Sequence, residues 1–314
     1  MRRGRFVAAI AATSLTPIPV LAQSTAPSAV RIATVPIDSG MQVRYAQDLG
    51  FFAKAGLNVD VQTITNGSQI TAAVIAGSID IGFSNLLSVI QAYERGIPVV
   101  ALFPGGLYTG DHPNGGLVVA KDSPIVSAKD LNGKTIGIST LGNMTQLAPM
   151  VWMDRNGGDY KSVRWIEIPA FPALQAAVEQ HRIDAAFLSE PIFTAAKQSG
   201  RLLSNAADAI AMRFVTATWF STKAWAEQHP DLVSRFIAAM KDASHWANTH
   251  PRESAPMISK YTKVPLDVVA GEPTTVFGEA LAASDFKPLL DSAVKYGLVP
   301  RSVAIDDFVF RPLR

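Results

Sequence analysis

A chain of 314 residues, 48 % of them hydrophobic and 17 % charged, is long enough for two domains and too apolar to stay unfolded. It has no cysteine, which excludes a disulfide scaffold, a thiolate metal site and a cysteine nucleophile. Its formal charge is +2, and its 28 basic residues form no stripe or aromatic-interleaved patch, so nucleic acid is not an expected partner.

The first residues read as an export signal over 1–22. Arg2, Arg3 and Arg5 form a basic head, and Phe6–Leu15 is an apolar run interrupted after it by Pro17 and Pro19. Val20-Leu21-Ala22 offers compact residues at the cleavage positions, so cleavage is expected after Ala22 and the periplasm is the expected compartment. The run is too short for the roughly 20 apolar residues that span a bilayer. Beyond Ala22 stand 25 of the 28 basic residues and all 26 acidic ones, a net charge of −1. The basicity of the full chain therefore belongs to the signal.

Val30–Val35 is the first expected strand, and it runs into the loop Pro36–Met41. A helix is expected from Gln42 to Lys54, stopped by Gly56. Val59–Ile64 is the second strand. Asn66-Gly67-Ser68 opens a helix that breaks at Gly77-Ser78, and the strand Ile79–Phe83 ends on the polar tip Ser84-Asn85. Val99–Leu102 follows, then the loop Gly105–Gly116, and Leu117–Ala120 reads as a strand leaving the first unit.

Ser127–Asn132 is expected to form a small helix, and Thr135–Ser139 a strand. A helix starts at Thr140–Thr145 and runs to about Arg155. Val163–Ile168, Leu174–Gln180 and Ile183–Leu188 then give strand, helix and strand, followed by Glu190-Pro191 and a helix to Ser199. Phe214–Phe220 is β-rich and reads as the return crossing. From Thr222 the pattern is helical, a tail expected to pack on the first lobe and to say least about function.

The second set of elements repeats the first at a constant offset of 104. Ala72-Ala73-Val74 falls on Ala176-Ala177-Val178, Ile79-Asp80 on Ile183-Asp184, and Phe83 on Phe187. Val30–Pro36 falls on Lys134–Thr140 and Val59–Ile64 on Val163–Ile168. A duplicated α/β unit follows, each copy alternating strand and helix as a mostly parallel sheet requires, with a cleft between the copies. The expected division is 30–118 with 218–314 as lobe 1 and 119–217 as lobe 2, hinged near Leu117–Ala120 and Phe214–Phe220.

No catalytic set stands out. His112, His181, His229, His245 and His250 make no metal-ligand spacing. Gly133-Lys134-Thr135 resembles the end of a phosphate-binding loop, but Ala128 stands where that motif needs Gly and a strand follows. There is no G-x-S-x-G elbow. No metal and no cofactor are expected.

What the sequence supplies is polar strand-end loops, which doubly wound sheets gather along one edge. The ligand-binding candidates are Asp38, Ser39, Gly40 and Met41 after the first strand, Asn66 and Gly67 after the second, and Ser84 and Asn85 after the third. In the second unit they are Thr140, Leu141, Gly142 and Asn143, then Phe171, then Glu190, with Trp219 on the return crossing. Each loop taken singly could equally be a helix cap. Glu190 could cap the next helix, Trp219 could be hinge core, and Tyr108 could anchor its loop.

Leu49-Gly50-Phe51-Phe52-Ala53-Lys54-Ala55-Gly56-Leu57-Asn58-Val59, Ala76–Gly82 (AGSIDIG), Asp130–Gly137 (DLNGKTIG) and Asp184-Ala185-Ala186 with Glu190-Pro191 carry a family resemblance. Over Arg31 to Gly297 the chain resembles periplasmic substrate-binding proteins of ABC importers, in the nitrate/sulfonate/taurine/thiamine-pyrimidine branch. The resemblance implies a two-lobed, type II periplasmic binding protein fold with two crossing segments as its hinge. It further implies a monomer that closes on a small solute and delivers it to a permease with ATPase subunits. Physically, Gly56 ends a helix and Phe51, Phe52 and Leu57 seal it, so those conspicuous residues read as structural.

The strand-end loops hold no Lys or Arg but do hold Asp38, Asp111, His112 and Glu190. A sulfonate- or taurine-like anion or zwitterion would be held by backbone N–H groups and hydroxyls. A neutral heterocycle such as a thiamine-precursor pyrimidine would give its N–H donors to Asp38 or Glu190, with Phe171, Trp219 or Tyr108 against its ring. Two other classes share the resemblance: a pyrimidine-synthase-like enzyme, against which the lack of cysteine argues, and a periplasmic sensor module.

Overall fold

The computed structural model describes residues 29–271, 274–301 and 303–311. The expected signal segment, 1–22, lies outside them. Among the described residues thirteen strands can be followed: β1 (Val30–Thr34), β2 (Val59–Thr63), β3 (Ile81–Asn85), β4 (Val99–Pro104), β5 (Gly106–Thr109), β6 (Gly115–Ala120) and β7 (Thr135–Ile138). The rest are β8 (Arg164–Glu167), β9 (Ala185–Ser189), β10 (Gly200–Ser204), β11 (Arg213–Val215), β12 (Ala217–Thr222) and β13 (Val276–Phe277).

They form two five-stranded sheets, ordered β2-β1-β3-β12-β4 and β8-β7-β9-β6-β10, and a small sheet β11-β5-β13. In each large sheet one strand runs against the others: β12 against β3 and β4, and β6 against β9 and β10. The repeat extends to register. Arg31 pairs with Asp60 and Thr135 with Arg164; Ile32 pairs with Ile81 and Ile136 with Ala185. The fold is thus the expected α/β architecture of two similar units, with helices on the sheets because near-continuous apolar strands such as β4 need cover on both faces.

The helices of the first unit are α1 (Gln42–Asp48), α2 (Phe51–Lys54), α3 (Gly67–Ile75) and α4 (Leu86–Glu94). Those of the second are α5 (Met144–Arg155), α6 (Phe171–Glu179) and α7 (Ile192–Ser199). The single helix expected from Gln42 to Lys54 is two. Gly50, at φ +78°, breaks it, and the second piece turns Phe52 into the core against Phe236. The strand expected from Ile79 starts two residues later, because Ile79 and Asp80 fasten its entrance before the ladder begins. Leu117–Ala120 is no crossing. It lies inside β6, paired on both sides within the second sheet, so the chain has already changed sheets by Gly115.

The tail is α8 (Lys223–Gln228), α9 (Pro230–Thr249), α10 (Pro251–Thr262), α11 (Leu266–Val269), α12 (Ala283–Lys295) and α13 (Ile305–Phe308). α9 packs on α1 and α2, as expected of a segment covering the first unit. α12 does more: it lies on β11 and also reaches the second unit, where the Tyr296 hydroxyl donates to Asp154 at 2.6 Å and the Tyr160 and Tyr296 rings meet edge to face.

Candidate functional site

The strand-end loops of both units converge on one cleft, with about 770 Å³ of space not filled by protein, part of it open to solvent. The residues after β1, β2 and β3 face those after β7, β8 and β9, so the tips are two sets of three, each set ending parallel strands at one edge of its own sheet. Asn114, Thr216, Ala217 and Thr275 close the third side.

Three asparagines on these loops cap helices. Oδ1 of Asn66 accepts the N–H of Gln69 at 3.0 Å, that of Asn85 the N–H of Leu87 at 3.1 Å, and that of Asn143 the N–H of Thr145 at 2.8 Å. Capping and lining the cleft are thus not alternatives here. The cap fixes each amide in place at a helix N-terminus. Gly67 lines the same wall because the start of α3 presses on the tip of β3. A Cβ there would lie 2.5 Å from Ser84 Oγ and 3.1 Å from Ser84 Cα.

Glu190 is buried, and its main chain ties the units together. Its N–H donates to the carbonyl of Asn114 at 3.1 Å, and its carbonyl accepts from the N–H of Asp38 at 3.2 Å. Its carboxyl accepts from the N–H of Thr194 at 3.0 Å and from the Thr194 hydroxyl at 2.9 Å, so it also holds the first turn of α7. Burial pushes its pKa up to about 7, against the lowering effect of the Thr194 bonds and of the Lys197 ammonium; the nearby Asp38 carboxyl adds a smaller push upward.

Asp38 is buried as well. Oδ2 accepts the N–H of Thr275 at 2.7 Å, while Oδ1 has no partner among the described residues. Burial raises this carboxyl to about 6 in spite of its bond to Thr275. Among the described residues the cleft lining is otherwise uncharged. It is mostly Ser, Thr and Asn, with Phe83, Met144, Pro169 and Phe171 as apolar surface and no Lys or Arg.

Of the residues singled out from sequence, Ser39, Asn66, Gly67, Ser84, Asn85, Thr140, Asn143, Phe171 and Glu190 line the cleft. Asp38 stands behind Thr275, one layer back. Gly40 and Met41 do not line it: Gly40 gives its carbonyl to the Thr34 hydroxyl at 2.6 Å and Met41 is packed in the core. Leu141 is half exposed, and with Gly142 it lies on a separate surface depression. Trp219 is core. Its indole N–H donates to Gln42 Oε1 at 2.7 Å and its ring lies against Phe83 and Phe236; of these three rings Phe83 lines the cleft. Tyr108 is buried, stacked on Phe214, with its hydroxyl on Asp208 at 2.7 Å; burial and that bond raise its pKa.

Sequence reading passed over Ser88, Asn114, Thr216 and Thr275 as individual lining residues. Ser88 could have been found, since it follows Asn85 by three residues on a helix and so shares its cleft-facing end. Thr275 carried no signal. It sits in the tail, and its bond to Asp38 joins residues 237 positions apart.

A profile described as NMT1/THI5 like matches residues 41–254, and the chain belongs to that family. Among solved structures it is similar to the alkanesulfonate-binding protein SsuA of Xanthomonas axonopodis pv. citri bound to MOPS. That match has a TM-score of 0.76, 18 % identity, and covers 91 % of this chain and 99 % of that one. The fold is that of the periplasmic binding proteins of ABC importers.

Several curated relatives carry the name 4-amino-5-hydroxymethyl-2-methylpyrimidine phosphate synthase. The Aspergillus parasiticus protein is 23 % identical over 82 % of this chain and 70 % of its own length. The Schizosaccharomyces pombe protein is 34 % identical over 29 % of this chain, and the match spans a quarter of its own length, 25 %.

Proposed function

We propose that this chain is the solute-binding component of an ABC import system, exported by its N-terminal segment, closing its two units on a small ligand and handing it to a permease. The ligand it suits best is uncharged or cationic, rich in N–H or O–H donors, with a flat apolar face. An aminopyrimidine is that kind of molecule.

The observation that carries this reading is the lining itself. A sulfonate, taurine or nitrate would enter a cleft whose lining, among the described residues, has no Lys or Arg and includes Glu190. Hydroxyls, amides and helix N-termini can hold an anion, but Glu190 opposes it wherever its carboxyl is ionised, which burial delays to about pH 7. A donor on the ligand can instead share a Glu190 carboxyl oxygen with Thr194, since each such oxygen has two lone pairs. Phe83 and Phe171 supply the faces against which a ring packs. The names of the pyrimidine synthases in the family point to the same ring class.

Those names also favour a second reading, an enzyme acting on a pyrimidine. Among the described residues the lining has no His, Lys or Cys and offers Glu190 as its titrating group, which supports capture rather than turnover.

A thermal-shift series tests the proposal. Aminopyrimidines such as 4-amino-5-hydroxymethyl-2-methylpyrimidine, set against taurine, methanesulfonate and nitrate, should be the stabilising group. A ligand at about a hundred times its dissociation constant adds about 2.7 kcal/mol, a rise of roughly 4 °C for a chain of this size. Stabilisation by the anions alone would overturn the ligand class. Mass spectrometry showing a bound pyrimidine converted to a new compound would replace capture with catalysis.

A further inference from the structure

The helix α4 carries two cleft residues, Asn85 at its cap and Ser88 in its first turn. One turn further on, on the same face, stands Gln91. Gln91 does not line the cleft. Its Nε2 donates to the carbonyl of Gly142 at 2.7 Å and to the carbonyl of Leu298 at 3.1 Å, so both amide hydrogens have acceptors.

Gly142 belongs to the loop of the second unit that presents Thr140, Asn143, Met144 and Thr145 to the cleft. The other bonds that hold this turn come from its own unit: Leu141 N–H to Glu167 at 2.8 Å and Gly142 N–H to Gln146 at 2.7 Å. Gln91 therefore joins the first unit, the second unit's cleft loop and the tail after α12 at one point. Gly142 suits that contact twice over. Its φ is +76°, and a Cβ there would lie 2.9 Å from Gln91 Nε2.

We propose that Gln91 is a positioning residue, a latch between the units that seats the Thr140–Thr145 loop over the cleft without touching the ligand. The proposal rests on the hinged solute-binding reading given above. Its consequence is that part of the affinity resides in a contact made between protein groups alone. The bond to Gly142 exists only when the units are together, so it adds to the stability of the closed form whatever the solute.

The absence of cysteine in the natural chain permits a direct test without ligand. Ala76 and Gln180 are equivalent positions of the repeat, exposed at the ends of α3 and α6 remote from the cleft. Cysteines at both, Ala76→Cys and Gln180→Cys, take spin labels, and pulsed electron-spin measurements give the distribution of distances between the units. In that background Gln91→Ala should move the distribution toward open distances. Gln91→Glu should move it at least as far, because a carboxylate facing two carbonyl oxygens repels both. Thermal midpoints within about 2 °C of the parent would show that neither variant unfolds the half-buried site.

A broad parent distribution that neither variant moves would overturn the latch and leave the hinge standing. One narrow distance common to the parent and both variants would overturn the latch, and if it also stays unchanged with 4-amino-5-hydroxymethyl-2-methylpyrimidine added, the hinged reading goes with it.

Discussion

Asp80 and Asp184 hold the same place in the two halves of the chain. Oδ2 of each accepts the N–H of a residue at the entrance of the neighbouring strand, Arg31 at 2.8 Å and Thr135 at 2.8 Å. Each returns its own N–H to that residue's carbonyl, at 2.9 and 3.0 Å. The aspartates thus fasten β3 to β1 and β9 to β7 just before the ladders begin. They are what the recurring Ile-Asp pair encodes.

The two fastenings differ in strength, which gives a prediction. Asp80 is buried and also takes the Arg31 guanidinium through two bonds, at 3.1 and 2.5 Å. The Asp184 side chain is 36 % exposed, and its cation, Lys134, stands at 3.9 Å. Asp80→Ala should cost about 2–3 kcal/mol, the range for charge-assisted bonds with one partner stranded, and Asp184→Ala about 1. Urea unfolding at neutral pH measures both. Equal losses would mean that the Arg31 contact contributes nothing.

The repeat was legible because short apolar strands, their polar tips and the aspartate recur at one spacing. What stayed illegible has physical reasons. β12 is interior to its sheet, so Ala217–Ser221 is buried along both faces and no alternation tells which side Trp219 takes. Asn66, Asn85 and Asn143 could be recognised as either caps or cleft residues but not as both, since the cap is a local bond and the cleft is made by distant segments. Thr275 shows the limit: only the folded chain brings it to Asp38.

Trp219 offers a second prediction. Its ring is fully buried between Phe83 and Phe236, and its N–H fills the acceptor of Gln42, whose Nε2 donates to Ser244 Oγ at 2.7 Å. Trp219→Ala should cost about 3–5 kcal/mol through cavity and lost bond together. Trp219→Phe should cost less but still about 1–3, because Gln42 Oε1 is left buried without its donor. Thermal denaturation orders the two. Under native conditions Trp219→Phe should leave solute affinity within a few-fold, since Phe83 and not Trp219 reaches the cleft; a collapse of affinity would place the indole at the ligand.

Gly67 gives a third. An added methyl would meet Ser84 backbone as well as its hydroxyl, and backbone in a sheet interior does not move aside cheaply. Gly67→Ala should cost about 1–3 kcal/mol by overpacking. Combining it with Ser84→Ala removes the 2.5 Å contact but not the 3.1 Å ones, so the pair should recover part of the loss. A double-mutant cycle of unfolding energies reads the coupling, and strict additivity would show that the two sites do not press on each other.

The buried carboxyls set the last prediction. In the unfolded chain Glu190 and Asp38 ionise near 4.5 and 3.8, whereas in the fold burial keeps their protons to about 7 and about 6. Between those limits the folded chain binds more protons than the unfolded one, so acid favours folding. The stability these groups contribute is complete below about pH 4 and is lost as the pH rises through 6 and 7, on the order of 3 kcal/mol for Glu190. The thermal midpoint of the ligand-free protein should therefore fall between pH 5 and pH 8, a window in which ordinary carboxylates stay ionised. Glu190→Gln keeps an oxygen for Thr194 and removes the titration, so it should flatten most of that slope; Asp38→Asn should flatten the part nearer pH 6. Solute affinity should run the opposite way for a ligand that donates to Glu190, strengthening as the carboxyl ionises through about 7, and this rise should vanish in Glu190→Gln. A parent midpoint independent of pH, or an unchanged slope in Glu190→Gln, would show that neither carboxyl holds its proton in the folded cleft.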